Sequence, residues 1–272
     1  MIGIRSSLRT LRTDHPFLLG FALLEMVFLI LPSAIVLVVS IGPSEIVTFP
    51  PSGFTLKWYG SLLGDAGYAE PFVHSLYAAT LCTLLSIPIG VATAIGLNRY
   101  DIRFKDGFQT YFLLPFTVPL VVSGVILLIL FGRIGWIGDL WAVGLALTII
   151  NLPFMIWSVA SSVNAFDPTL ENAAKSLGAE EIQTFTHVTF PSLMPGVISG
   201  ALLMFMLGLN EFLVSLIITT RTTETLPVAI YSAIRGNISP QIAAIASVYV
   251  IIAVVAIVVA DRVVGLDRFL HS

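Results

Sequence analysis

The chain has 272 residues, 57% hydrophobic and only 11% charged, with mean hydropathy +0.97 and a formal net charge of −3. A soluble domain carries about 25% charged residues, so most of this chain must face lipid or pack within a membrane bundle. The small negative charge argues against nucleic acid as a partner, and a single cysteine, Cys82, excludes an intrachain disulfide or a thiolate metal cluster.

Six apolar runs follow one another, at residues 17–41, 73–97, 109–132, 137–163, 193–220 and 241–265. Each is near or above the ~20 residues that a spanning helix needs. Arg5, Arg9 and Arg12 precede the first run. It is too long for a signal peptide and no small-residue cleavage site follows it, so a retained membrane helix is predicted. Pro32, Pro88, Pro115, Pro119 and Pro153 fall within the runs, a placement that packed membrane helices tolerate.

Basic residues set the expected orientation. With the N-terminus inside, nine lie on the cytoplasmic side (Arg5, Arg9, Arg12, Arg99, Arg103, Lys105, Lys175, Arg262, Arg268) and four outside (Lys57, Arg133, Arg221, Arg235). The division is therefore a cytoplasmic segment 1–16, a first transmembrane helix 17–41, an outer loop 42–72, a core of five further transmembrane helices over 73–265, and a cytoplasmic tail 266–272. The outer loop is mildly acidic, with Glu45, Asp65 and Glu70 against Lys57. The fold class read from this pattern is an all-α membrane protein with six transmembrane helices and both termini cytoplasmic.

Between the fourth and fifth runs lies a polar stretch, residues 167–192, that lipid alone does not explain. Asp167 followed by Pro168 is a helix start signal. Leu170, Ala173, Ala174 and Leu177 recur at helical spacing and give one apolar face. Gly178 suits the positive φ that ends a helix. A second helix then carries Ile182, Phe185 and Val188 or Thr189 on one side and Glu180, Glu181 and Gln183 on another, with Pro191 expected to stop it and Pro195 to open the next span. A charged helical hairpin on the positive-inside face of a membrane protein reads as a surface on which another protein pushes.

The stretch resembles the EAA loop of permease subunits of bacterial ABC importers, a motif of E-A-A, three residues and G, followed by an apolar helix and a proline-rich exit. Here it is Asn172-Ala173-Ala174, three residues, Gly178, then Phe185, Pro191, Pro195 and Gly196. Asn172 stands where the motif has glutamate, with Glu171 before it. Phe49 to Tyr59, the segment Leu114-Pro115-Phe116-Thr117-Val118-Pro119 and the segment Leu226 to Ser232 are similar to the second permease subunits of spermidine/putrescine-type importers. Importers of iron(III), opines and thiamine share parts of the pattern.

That resemblance implies the ABC importer type I permease fold in the bacterial inner membrane. It implies a second permease subunit, two ATP-binding subunits in the cytoplasm and an external substrate-binding protein. The chain has no G-x-x-x-x-G-K-[ST] stretch, so it holds no ATP by the usual loop. ATP and Mg²⁺ belong to the partner ATPase, and the chain itself is expected to be neither an enzyme nor the holder of a cofactor. Glu171, Asn172, Ala173, Ala174, Leu177, Gly178, Phe185 and Pro191 are the expected ATPase-coupling residues.

Charged groups inside a span are costly and mark function or pairing. Glu211, next to Asn210 in the fifth run, is read either as lining the route of a cationic solute or as a buried structural group. Ser123 and Asn151 are polar candidates for the same route, or helix–helix hydrogen-bonding residues. Glu25 in the first run is read as a contact to a partner or an inner-face group. His15, His74, His187 and His271 are scattered and have no metal-ligand spacing. A secondary transporter or channel acting alone is the competing class. It predicts an internal repeat with paired broken helices and leaves the hairpin unexplained.

Overall fold

The computed structural model describes residues 16–62, 67–100, 103, 107, 117–236 and 239–264. The expectations for Arg5, Arg9, Arg12, Asp65, Lys105, Pro115, Arg268 and the two terminal segments lie outside these residues. Regular structure among the described residues is helical throughout. The chain divides into two compact units, residues 68–231 and a unit drawn from residues 1–67 and 232–272.

The second of these holds α1 (Pro16–Val39), α2 (Lys57–Leu62) and α11 (Pro240–Val264), and α11 packs on both of the others. The loop after α1 folds back on it. Thr55 N–H donates to the Ile41 carbonyl at 2.7 Å and the Trp58 indole N–H to the Gly42 carbonyl at 2.7 Å. The Tyr59 hydroxyl lies 2.7 Å from Ser40 Oγ and 2.6 Å from Ser247 Oγ, so the buried hydroxyls of α1's end and α11 satisfy one another through a phenol. Trp58 and Tyr59 are thus anchors of this loop.

Unit 68–231 contains α3 (Ala69–Arg99), α4 (Leu120–Ile134), α5 (Leu140–Ala165), α6 (Thr169–Ser176), α7 (Glu181–Thr184), a π turn (Phe185–Thr189), α8 (Phe190–Asn210), α9 (Leu213–Ile218) and most of α10 (Leu226–Gly236). Its centre is α5, which packs on α3 and on α8, while α3 and α8 also touch; α9 packs on α4. Lipid is as apolar as the helices, so close packing and hydrogen bonds must hold them together. The sequence supplies both. Ala78, Ala79, Cys82 and Ala94 of α3 and Ala142 and Ala146 of α5 are buried and let backbones approach. At the α5–α8 crossing, Ser158 Oγ donates to the Gly196 carbonyl at 2.8 Å, and a Cβ on Gly196 would lie only 2.6 Å from the Ser158 carbonyl oxygen. Thr83, Ser86 and Thr148 return their hydroxyls to the carbonyl four residues back at 2.8, 2.6 and 2.8 Å, which satisfies them without water.

Four helices are long and apolar enough to cross a membrane among the described residues: Phe17–Val39, Ala69–Arg99, Leu140–Ala165 and Glu181–Asn210; shorter apolar helices cover Leu120–Ile134 and Pro240–Ile252. Pro32, Pro88 and Pro153 lie inside helices. Pro119 does not. It stands before α4, and its carbonyl accepts Val122 N–H at 2.8 Å and Ser123 N–H at 3.1 Å.

Two details differ from the sequence expectation. The helix does not stop at Pro191, because the π turn delivers the chain to Phe190, whose N–H reaches the Phe185 carbonyl five residues back. Pro191 then occupies the first turn of α8, where its missing N–H matters least. The fifth run is also not one helix. It breaks after Asn210, where Glu211 is extended (φ −70°, ψ 118°), and resumes at Leu213.

Candidate functional site

Local hydrogen bonding explains why the 167–192 stretch folds as it does. Asp167 Oδ1 accepts Thr169 N–H at 2.9 Å, starting α6 and holding the Asp167 carboxyl below its ordinary value. At the other end Ala179 N–H reaches the Ala174 carbonyl at 3.1 Å and Gly178 N–H the Lys175 carbonyl at 3.0 Å. This is a Schellman closure, and Gly178 carries the φ of +90° that it demands. Two residues on, Glu180 and Gln183 form a reciprocal capping box that starts α7, with Glu180 N–H 3.1 Å from Gln183 Oε1. Three local devices thus fix a compact hairpin.

The hairpin has two unlike faces. Outward stand apolar side chains that solvent should repel: Leu177 is 90% exposed, Ile182 77% and Leu170 50%, while Phe185, 40% exposed, borders a groove beside α3. Asn172, Ala173 and Pro191 are exposed, and Ala174 is half-buried. Inward stands Glu171. Arg99, in the last turn of α3, places Nη1 2.5 Å from Glu171 Oε1, with both side chains mostly buried. Thr189, buried in the π turn, donates its hydroxyl to the same oxygen. The Arg99 guanidinium also lies over the Phe166 ring, 4.8 Å from its centroid, at the end of α5. Desolvation pushes the Glu171 carboxyl up, but hydrogen bonds from Thr189 and Arg99 and the charges of Arg99 and Lys175 outweigh it, and the carboxyl sits below its ordinary value.

Glu171 therefore does not stand in for the motif glutamate that Asn172 replaces, since its carboxylate is committed inward while Asn172 faces outward. Arg99 was missed by sequence reasoning. It lies 72 residues from Glu171 and reads there only as one more inner-face cation.

The four residues proposed for a solute route lie at the α8–α9 break, on α4 and on α5. Asn210 is exposed at the end of α8 and returns Nδ2 to the Met206 carbonyl at 2.8 Å. Glu211 is half-buried, and its Oε1 accepts Val214 N–H at 2.9 Å, capping α9 across the helix break. Ser123 is half-buried on α4. Asn151 is buried on α5, and its Nδ2 has no acceptor among the described residues. No hydrogen bond joins any two of the four. Among the described residues, no three His, Cys, Asp or Glu side chains are grouped to hold a metal ion.

Comparison with known proteins gives a consistent picture. Residues 86–266 match the family described as binding-protein-dependent transport system inner membrane component. The chain is 30% identical over 249 residues, 92% of this chain and 94% of the relative, to the spermidine/putrescine transport system permease protein PotC of Escherichia coli (strain K12). It is 30% identical over 239 residues, 85% of each chain, to the putrescine transport system permease protein PotI of the same strain. It is also 32% identical over 221 residues, 80% of this chain and 83% of the relative, to the putative 2-aminoethylphosphonate transport system permease protein PhnV of Salmonella paratyphi A. Among solved structures, a chain of a bacterial ABC transporter involved in the import of the acidic polysaccharide alginate superposes with TM-score 0.66 at 15% identity, covering 93% of this chain and 97% of that one. A chain of the MetNI methionine ABC transporter in an inward-facing conformation gives TM-score 0.59 at 17% identity over 78% and 99%. At these identities the structural likeness is one of fold.

Proposed function

We propose, from the premise that this chain belongs to the family of binding-protein-dependent transport system inner membrane components, that it is the membrane-spanning subunit through which an ATP-driven importer moves a polyamine-like solute. It is a multi-pass transport subunit of the ABC permease type and not itself an enzyme; ATP is hydrolysed by a separate subunit. In this reading its partners are a second permease of similar fold, two ATP-binding subunits in the cytoplasm and an external binding protein that delivers the solute. Both termini and the hairpin lie on the cytoplasmic side of the bacterial inner membrane, as the nine-to-four distribution of basic residues supports.

The observation that carries the reading is the outward apolar face of a hairpin locked by its own caps. Leu177 and Ile182 project from a rigid turn, as side chains that fill a groove on a partner must. ATP binding would draw the ATPase subunits together, push on this face, and bias the bundle between outward-open and inward-open packings. Asn172, Ala173, Ala174, Gly178, Phe185 and Pro191 shape the docking surface. Asn210, Glu211, Ser123 and Asn151 face the solute's route at some stage of the cycle, with the Glu211 carboxylate supplying the negative charge that a polyamine favours.

Fully burying a leucine is worth about 2 kcal/mol, roughly thirtyfold in affinity. Leu177→Asp removes that gain and adds a charge to be desolvated. The complex should lose its ATPase during purification in detergent, and putrescine or spermidine uptake should fall by at least that factor. Retention of the ATPase together with wild-type uptake would remove the hairpin from the coupling role. Uptake of labelled 2-aminoethylphosphonate in place of the polyamines would keep the role and replace the solute.

A further inference from the structure

We propose that Arg99 is the positioning residue that transmits hairpin movement to α3, acting through a buried clasp on Glu171 and Thr189; the inference rests on the importer reading above. A hairpin is covalently continuous only with the helices before and after it, here α5 and α8. Nothing in the covalent chain obliges α3 to follow when the hairpin is pushed. Arg99 supplies that link. From the last turn of α3 its guanidinium covers the Phe166 ring at the end of α5, holds the Glu171 carboxylate of α6 and, through the same carboxylate oxygen, is joined to Thr189 in the π turn below α8. One cation therefore gathers the hairpin-side ends of three helices.

α3 also packs directly on α5 and α8 farther along its length, but that packing opens beside the clasp. Along α3 beside the clasp, the helix and the π turn stand apart around a groove of ≈ 520 Å³, lined by Ile87, Val91 and Ile95 on one side and Phe185 and Phe190 on the other. The aromatic pair, with ring centroids 5.9 Å apart, forms one wall of this groove. The polar clasp thus bridges two surfaces that leave space between them. Among the described residues it is also one-armed. Nη1 makes the ion pair, while Nη2 is buried with no acceptor among the described residues. A single-point contact between a planar cation and one carboxylate oxygen allows rotation about itself that a two-point fork would forbid. Such a joint carries a push while the helices change angle.

The test is the ratio of solute imported to ATP hydrolysed, measured on the full complex in vesicles. Arg99→Gln should leave the complex assembled and hydrolysing ATP, with import per ATP reduced roughly tenfold, within the usual span of coupling between sites. Arg99→Lys, which keeps the charge, should recover part of the ratio. Glu171→Gln should reproduce the loss, and the double variant should be no worse than either single one, because both remove one interaction. An unchanged ratio in Arg99→Gln overturns the clasp while leaving the importer reading intact, and so does additive loss in the double variant. Loss of the ATPase from the Arg99→Gln complex overturns it too, since Arg99 would then serve docking. If the wild-type chain itself supports no ATP-dependent import, the importer reading fails first and the clasp fails with it.

Discussion

Helices α1 and α5 have the same general composition and opposite fates. In the spanning stretch of α1 only 6% of residues are buried within the chain, against 67% in α5, although α1 is the more apolar of the two. Hydrophobicity therefore does not decide which helix forms the core here. The small and hydrogen-bonding groups at the helix crossings separate the two. α1 presents Phe21, Leu24, Met26, Phe28, Leu29 and Ile30 around its circumference, large groups that suit fluid lipid or a broad partner surface. α5 presents Ala142, Gly144, Ala146, Thr148 and Asn151 along buried positions, small or hydrogen-bonding groups that let α3 and α8 come within backbone reach. In lipid, an oily helix has nothing to gain by leaving its surroundings unless it fits its neighbour.

That contrast can be broken at its strongest point. Replacing Gly196 with leucine drives a side chain into the Ser158 carbonyl, a rigid backbone atom at the α5–α8 crossing. The cost should reach about 3 kcal/mol, the upper end for overpacking, and the protein should elute as aggregate from a sizing column in mild detergent. A smaller effect is expected for Met155→Ala, which empties a wholly buried site on α5. Because lipid removes most of the transfer gain, only packing is lost, about 2 kcal/mol at the low end for such truncations, read as a lower midpoint of thermal unfolding in detergent. The smallest effect belongs to α1. Leu24→Ala should shift that midpoint by no more than about 0.5 kcal/mol equivalent. A larger shift, or loss of the second permease from the purified complex, would sharpen the comparison differently: the exposed side of α1 would then be an interface and not a lipid face.

The sequence announced the hairpin clearly because its signals are local. Asp167 and Gly178 each act within a few residues, so their chemistry is legible in order along the chain, whereas Glu180 and Gln183, read there as one polar side of the second helix, in fact cap its start. Helix positions were legible for the same reason, since a long apolar run needs no partner to be recognised. What escaped was whatever depends on a distant residue or on a choice between two local rules. Arg99 finds Glu171 only after the bundle has formed. Pro191 carries a stop signal that the π turn overrides. The break at Glu211 lies inside a run whose apolar character continues past it, and only Asn210-Glu211, two polar residues in succession, hinted that the helix would let go. The Glu211 carboxylate then restarts α9 by accepting Val214 N–H, a use of a charged group that composition does not suggest.

The π turn has a geometric consequence of its own. Glu181–Asn210 runs as one 30-residue rod, about 45 Å at 1.5 Å per residue. Within it the five residues from Phe185 to Thr189 accommodate one residue more than α-helical bonding would. Each residue turns the helix by about 100°, so the part that carries Ile182 and the part that carries Gly196 are out of phase by that angle. The face offered to a partner and the seam pressed against α5 are therefore clocked independently, and a single-residue deletion such as Val188 would re-aim one against the other. If the surplus residue is absorbed when the hairpin is pushed, the rod turns about its axis while changing length by only about 1.5 Å. Thrust applied at one end would emerge at the other as torque.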